Sequence, residues 1–223
     1  MRPIQTNNTK KVIKTVMILG EGRSGTSVLA GTLQILGVKI DGNSLPSQFN
    51  PRGSFESAIS ARISNQIVRT IFDSENKNRE IRDLLASHDY DDLLYWVVNP
   101  KSDMVSINQT IRGEIKRFIY NNSKNGAIWG WKDPRLVITL KYFLPFVESP
   151  YLIVIFRNPF KVAKSSEKMI REMFSNQIVE RLFGDKSKCI LKLSKKVLES
   201  DQQIIKYLYE YPNIPTLIVT FED

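Results

Sequence analysis

The segment Gly20-Glu21-Gly22-Arg23-Ser24-Gly25-Thr26-Ser27 constrains this 223-residue chain more than any other. It follows a short β-branched, apolar run at 14–20. It precedes a stretch at 26–36 in which Val28, Leu29, Leu33 and Leu36, with the small Ala30, recur at helical spacing until Gly37. A buried strand, a glycine turn and a helix in that order open an α/β layer fold. They also aim the unsatisfied N–H groups of a helix N-terminus at whatever lies above the strand, which is where phosphate binds. The glycines let the backbone turn sharply and come close to an anion. A plain strand-to-helix turn capped by Ser or Thr would not require Arg23.

The glycines alone leave the ligand open. Gly20, Gly22 and Gly25 satisfy the dinucleotide pattern G-x-G-x-x-G, and Asp41 follows about 20 residues on, where a ribose-binding acid belongs. Gly20 and Gly25 also begin the P-loop pattern, but Thr26 stands where its lysine should reach the phosphates, which disfavours a conventional NTPase.

The rest of the chain continues the alternation of strands and helices. Helical patterns are expected at about 57–72, 103–121, 136–147, 159–173 and 188–210, with strands at 127–131, 152–156 and 216–221, the last read as buried. Residues 41–55 read as a loop rich in Gly, Pro, Asn and Ser, and 73–103 as helical pieces and loops. The fold class is therefore α/β: a single domain at 12–223, a mainly parallel β-sheet flanked by helices, behind a flexible lead-in at 1–11. The apolar runs are strand length, far short of the ~20 residues of a spanning helix. No apolar stretch precedes the first strand, so a secretory signal is not expected. Cys189 is the only cysteine, which fits a reducing compartment; a cytoplasmic protein is expected. The formal charge of +9 points to polyanionic partners, but the Lys and Arg residues are scattered, without the basic run of a nucleic-acid arm. A small multiply phosphorylated ligand fits that pattern.

A second segment bears on the choice. After the apolar run at 152–156 comes Arg157-Asn158-Pro159-Phe160-Lys161-Val162-Ala163-Lys164-Ser165. An Arg at a strand end points into the crevice where open α/β sheets bind ligands, Pro159 suits the first turn of a helix, and Ser165 lies about two turns on. Arg157 and Ser165 are placed to hold one phosphate from two sides. Nothing in a dinucleotide-binding dehydrogenase calls for this segment. Together the two segments resemble the PAPS-dependent sulfotransferase family, PAPS being 3′-phosphoadenosine 5′-phosphosulfate. The first resembles its 5′-phosphosulfate loop, a basic residue before Ser-Gly-Thr-Ser; the second resembles its 3′-phosphate motif, Arg and then Ser eight residues later. Asn50-Pro51-Arg52-Gly53-Ser54-Phe55-Glu56, Trp129-Gly130-Trp131-Lys132-Asp133-Pro134-Arg135 and Val219-Thr220-Phe221-Glu222-Asp223 also resemble segments of its bacterial members.

The resemblance implies a P-loop NTPase-like sulfotransferase fold and transfer of a sulfuryl group from PAPS to a hydroxyl or amine, with PAP released and no metal required. It implies that Gly22, Arg23, Ser24, Gly25, Thr26 and Ser27 hold the 5′ end and that Arg157 and Ser165 hold the 3′-phosphate. Arg23 and Lys132 would neutralise developing charge. Many members use a His as base, but His88 lies in a polar segment far from both motifs. Glu56 is the candidate base, equally readable as a carboxylate at a helix N-terminus, and Asp133 is the alternative, equally able to pair with Arg135 or cap a helix. Two departures bear on the nucleotide: Val28 replaces the aromatic that many members stack on adenine, and their C-terminal Arg-Lys-Gly segment has no counterpart up to residue 223. The adenine pocket is thus unassigned. Trp96, Trp129 and Trp131 are candidates to line an acceptor pocket, though each is more often core; glycan, lipid, small alcohol and peptide acceptors all remain open. A kinase-like nucleotide enzyme and a non-enzymatic polyanion-binding module are the competing readings.

Overall fold

The computed structural model describes residues 12–42, 50–51, 53–75, 79–86, 90–101, 105–124 and 128–222; the expected lead-in at 1–11 and His88 lie outside them. The strand before the glycine loop, β1 (Lys14–Leu19), is buried along all but its first residue, as a central parallel strand with helices on both faces requires. Helix α1 (Thr26–Ile35) follows, then β2 (Lys39–Asp41), α2 (Ala58–Glu75), α3 (Arg79–Leu84), α4 (Asp91–Val97) and α5 (Gln109–Ser123). The chain continues through β3 (Ile128–Lys132), α6 (Leu136–Phe143), β4 (Ser149–Arg157), α7 (Pro159–Met173), α8 (Asn176–Phe183), α9 (Lys186–Glu210) and β5 (Thr216–Phe221). The strands form one all-parallel sheet in the order β2-β3-β1-β4-β5. This is a single-domain, P-loop-like α/β fold.

That order decides one question left open by the sequence. In the dinucleotide-binding arrangement the second strand lies beside the first, bringing its terminal acid to the glycine loop. Here β3 separates β1 from β2, so Asp41 stands at the edge of the sheet, a full strand away from the loop. The crossovers leave β1 and β4 in opposite directions, which opens a crevice at their C-terminal ends. The glycine loop and Arg157 both sit there.

Two cores flank the sheet. A small one under α1 joins Ile18, Ala30, Ile40 and Phe55. The large one on the other face gathers Met17, Leu19, Leu152 and Val154 with α2, α5, α6, α7 and α9. Trp129 and Trp131 belong to it: their rings stack at 5.2 Å and 17°, with Phe118 edge-on to both, so neither lines an acceptor pocket. Several expected boundaries shift. Part of the expected loop at 41–55 is strand, since β2 ends on Asp41, and α8 is an unexpected helix between Ser175 and Gly184. The helix expected from 136 stops at Phe143 and gives way to a 3₁₀ turn at Leu144–Phe146, where Pro145 cannot supply an N–H. The helix expected at 103–121 starts only at Gln109, where the Asn108 side chain accepts from Ile111 N–H. The strand expected to be buried at 216–221 is the outer edge of the sheet, with Leu217 and Ile218 more than half exposed.

Gly130 shows how closely β3 approaches β1. A Cβ built there would lie 2.3 Å from the Val16 carbonyl oxygen and 2.9 Å from its Cβ. Gly130→Ala should therefore cost about 1–3 kcal/mol through forced displacement of the central strands. In a chain of this size that is a melting temperature lower by about 2–12 °C, measurable by calorimetry. An unchanged melting temperature would mean that the pairing yields without strain.

Candidate functional site

The crevice above β1, β3 and β4 holds a cavity of about 300 Å³. Its wall includes Gly22, Arg23, Gly25, Thr26 and Ser27 from the loop, Arg157 and Phe221 from strand ends, and Glu56, Lys132 and Arg135. The first turn of α1 has Gly25 at its N-cap, left-handed at φ 100 and without a side-chain cap. A side chain at Gly25 would strike the Phe221 ring at 2.8 Å, so β5 seals the loop from one side and only glycine fits. The helix N-terminus thus presents its partial positive charge to the cavity.

Arg23 joins three of the sequence segments. It is left-handed at φ 70, a conformation that costs a non-glycine residue roughly 1–3 kcal/mol and persists only where its surroundings enforce it. Those surroundings are visible: Arg23 Nε donates to Ser165 Oγ at 3.0 Å, Nη1 donates to Asn50 Oδ1 at 3.3 Å, and the Arg23 carbonyl accepts from Arg157 Nη1 at 2.9 Å. Arg157 also lies over the Phe221 ring, 5.1 Å from its centroid. Burial and then the neighbouring Arg157 push the Arg23 guanidinium below its ordinary pKa. Two cations held this close favour an anion between them.

Two loop hydroxyls have internal work. Ser24 is buried, and both its N–H and its hydroxyl donate to the Glu21 carbonyl, at 3.2 and 2.6 Å, so this residue shapes the turn and does not face the cavity. Ser27 lines the cavity while its hydroxyl donates to the Ser54 carbonyl at 3.1 Å, tying α1 to the segment that carries Glu56. That segment is strained at Phe55, which has φ 55 with its ring in the core under α1. It then pairs Glu56 with Lys132 as an isolated parallel bridge, in line with the β2–β3 pairing.

On the opposite wall, Lys132 Nζ lies 2.5 Å from Glu56 Oε1, and Arg135 Nη1 lies 3.6 Å from Glu56 Oε2. Lys132 is almost fully buried, whereas Glu56 keeps about a quarter of its side chain exposed to the cavity. Asp133 is completely buried: its Oδ1 accepts from the Arg135 backbone N–H and from Arg135 Nη1, both at 3.0 Å. Of the two candidate bases, then, only Glu56 reaches the cavity. Arg135, expected only as a possible partner of Asp133, does pair with it and is the hub of this wall, bonding Asp92 at 2.5 Å as well. Burial lowers its affinity for a proton, but Asp133, Glu56 and Asp92 together more than reverse that, so it is a fixed cation.

Behind the loop lies a buried polar cluster that no local sequence pattern announces. Glu21 accepts from the Tyr95 hydroxyl, from Ser200 Oγ and, at 3.5 Å, from Lys196 Nζ. Gly22 N–H donates back to Glu21 Oε1 at 3.3 Å. Burial, partly offset by Glu21, lowers the Lys196 pKa, while burial and Glu21 raise that of Tyr95 well above its ordinary value. The cluster fixes the turn from below by anchoring it to α4 and α9. Among the described residues, no group of three or more His, Cys, Asp or Glu side chains is placed to hold a metal ion, and no helix is long and apolar enough to cross a membrane.

Next to this cluster, burial and then Glu21 raise the Asp201 carboxyl to about 7. The folded chain keeps a proton there that the unfolded chain releases near pH ~4, so the stability it contributes is complete below about pH 4 and is lost as pH rises through about 7. Asp201→Asn should leave urea stability near pH ~4 unchanged and raise it near pH ~8. The gain should be about 1 kcal/mol or less, because Asp201 is part-exposed and screened. Equal gains at both pH values would trace the effect to something other than titration. No protein-family model matches this chain, and a search of curated proteins returns no significant match.

Proposed function

We propose that this chain is a sulfotransferase that carries a sulfuryl group from PAPS to an acceptor hydroxyl or amine. The observation that supports this most is the junction of the glycine loop with the second motif: Arg23 bonded to Ser165, and Arg157 bonded to the Arg23 carbonyl, above an uncapped helix N-terminus. A nucleotide with anionic groups at both ends of its ribose suits that junction. A second cavity, of about 600 Å³, shares Arg157 and Phe221 with the first and adds Asn158, Lys161 and Thr220, with the acids Asp201 and Glu222 also on its wall. On this reading Arg157 stands between the two charged ends of the ligand, with the 3′-phosphate on its side and the phosphosulfate at the loop.

The chemistry is an in-line displacement. The acceptor oxygen forms a bond to sulfur while the bond from sulfur to the bridging phosphate oxygen breaks, and the electron pair leaves on that phosphate. Arg23, the α1 N-terminus and Lys132 stabilise the charge that spreads across sulfur and the leaving oxygen. Glu56 takes the acceptor proton. Lys132 and Arg135 hold the Glu56 carboxylate in place, which limits its motion and contributes to orientation.

Three expected outcomes test this. In a thermal-shift comparison, PAP at ~100 times its dissociation constant should stabilise the protein by about 2.7 kcal/mol, or about 5–10 °C. ATP with Mg²⁺ and NADH should do neither. A response to ATP alone would favour a kinase-like enzyme; steeply salt-dependent DNA binding with no nucleotide response would favour a polyanion module. Arg157→Ala should weaken PAP binding by about 1.5–3 kcal/mol, roughly 10- to 150-fold. Glu56→Gln should abolish transfer and leave PAP binding intact; retained transfer would remove Glu56 from the role of base.

A further inference from the structure

Helix α7 begins at the Asn158 cap, whose side chain accepts from the N–H groups of Phe160 and Lys161. Ser165, Met169 and Met173 follow at intervals of four, so they form one stripe along that helix. Its upper end is polar, with Ser165 on Arg23. Its lower end is apolar: Met169 and Met173 line the cavity, with Phe174 just beyond them and Trp96 from α4. Met173 is 45% exposed although it is a large apolar side chain.

The polar groups on this side of the cavity already bond one another. Asp92 holds Arg135, Glu56 holds Lys132, and the Tyr95 hydroxyl is engaged with buried Glu21. A sugar needs a polar partner for the hydroxyl on nearly every carbon of its rim, and beside Met169 and Met173 those partners are already engaged with one another. An apolar body with one hydroxyl would instead lie on that wall and direct its polar end to Glu56. Unbranched thioether side chains adapt to ligands of differing outline.

We propose that the acceptor is a lipophilic alcohol, phenol or amine, and that Met169 and Met173 determine its specificity. This inference rests on the sulfotransferase reading. The experiment measures sulfuryl transfer from PAPS, as PAP released, to a homologous series of linear primary alcohols, to simple phenols, to N-acetylglucosamine and to a tyrosyl peptide. In parallel it measures equilibrium binding of the same alcohols and of PAP. Each methylene added to the alcohol should raise kcat/KM and tighten binding about three- to fourfold until the wall is covered. The Met169→Gln/Met173→Gln variant should flatten that series and raise the alcohol KM, with the PAP dissociation constant unchanged. The Met169→Leu/Met173→Leu variant, which keeps the wall apolar, should retain the dependence on chain length. Preference for the sugar or the peptide, or a series that is flat in the unaltered protein, would overturn the proposal even if PAP binds. If PAP does not bind, the sulfotransferase reading fails, and the apolar subsite stands or falls on the alcohol-binding series alone.

Discussion

The bond from Arg157 to the carbonyl of Arg23 is the contact on which the rest of the site depends. It connects the end of β4 to the turn after β1, and it holds Arg23 in a left-handed conformation that an arginine does not favour by itself. With the backbone fixed, the Arg23 guanidinium reaches Ser165 on α7 and Asn50 on the segment leading to Glu56. Three stretches of sequence, more than 100 residues apart at the extremes, meet at one residue's carbonyl and guanidinium. The cost is mainly the burial of the Arg23 guanidinium and then its closeness to Arg157, and both lower its pKa. An anion bound between them removes that repulsion as well as adding its own hydrogen bonds.

The carboxylates of the site divide by depth. Glu21 and Asp133 are buried and serve the framework: one anchors the loop through Tyr95, Ser200 and Lys196, the other fixes Arg135. Such charges are tolerable in the interior only because each is matched and hydrogen-bonded, and removing one partner would strand the other. Glu56 and Asp92 sit closer to the solvent, where a carboxylate can exchange partners. The deep acids therefore serve rigidity while the shallow ones face the cavity, a division set by burial more than by residue type.

Much of this was legible in the sequence, for identifiable reasons. The span of α7, 159–173, follows from Asn158-Pro159 and a clean apolar period, and β1 and β4 follow from apolar runs that a buried parallel strand needs. The span of β5 was also readable, but not its exposure: an apolar run does not say whether a strand is central or an edge, which only the strand order reveals. Trp129 and Trp131 alternate with Gly130 on a strand whose aromatic face turns to the core, and no local pattern distinguishes that from a ligand-facing pair. The hydroxyls of Ser24 and Ser27 matched a phosphate-binding loop by type, yet their bonds go to backbone carbonyls that only the folded turn brings near. Glu21 and Lys196 meet across 175 positions, and Met169 and Met173 look like any apolar helical stripe until α4 is set against them.

Glu56 and Lys132 remain the pair whose geometry bears most directly on the proposed reaction. At 2.5 Å they neutralise each other, so neither carries its full charge into the cavity. In the proposed displacement, negative charge grows on the leaving phosphate while the acceptor gives up a proton. Lys132 can follow the first change by turning part of its ammonium toward the transferring group, and that same movement frees a Glu56 oxygen to take the proton. Arg135, held by Asp92 and Asp133, keeps the other Glu56 oxygen from following Lys132. On that proposal the ion pair is the resting state, and its separation would couple proton removal to charge stabilisation. In the structure itself, the carboxylate partner is what lets the fold keep a lysine almost wholly buried at the rim of a cavity, and the transferred group would take over that role during the reaction.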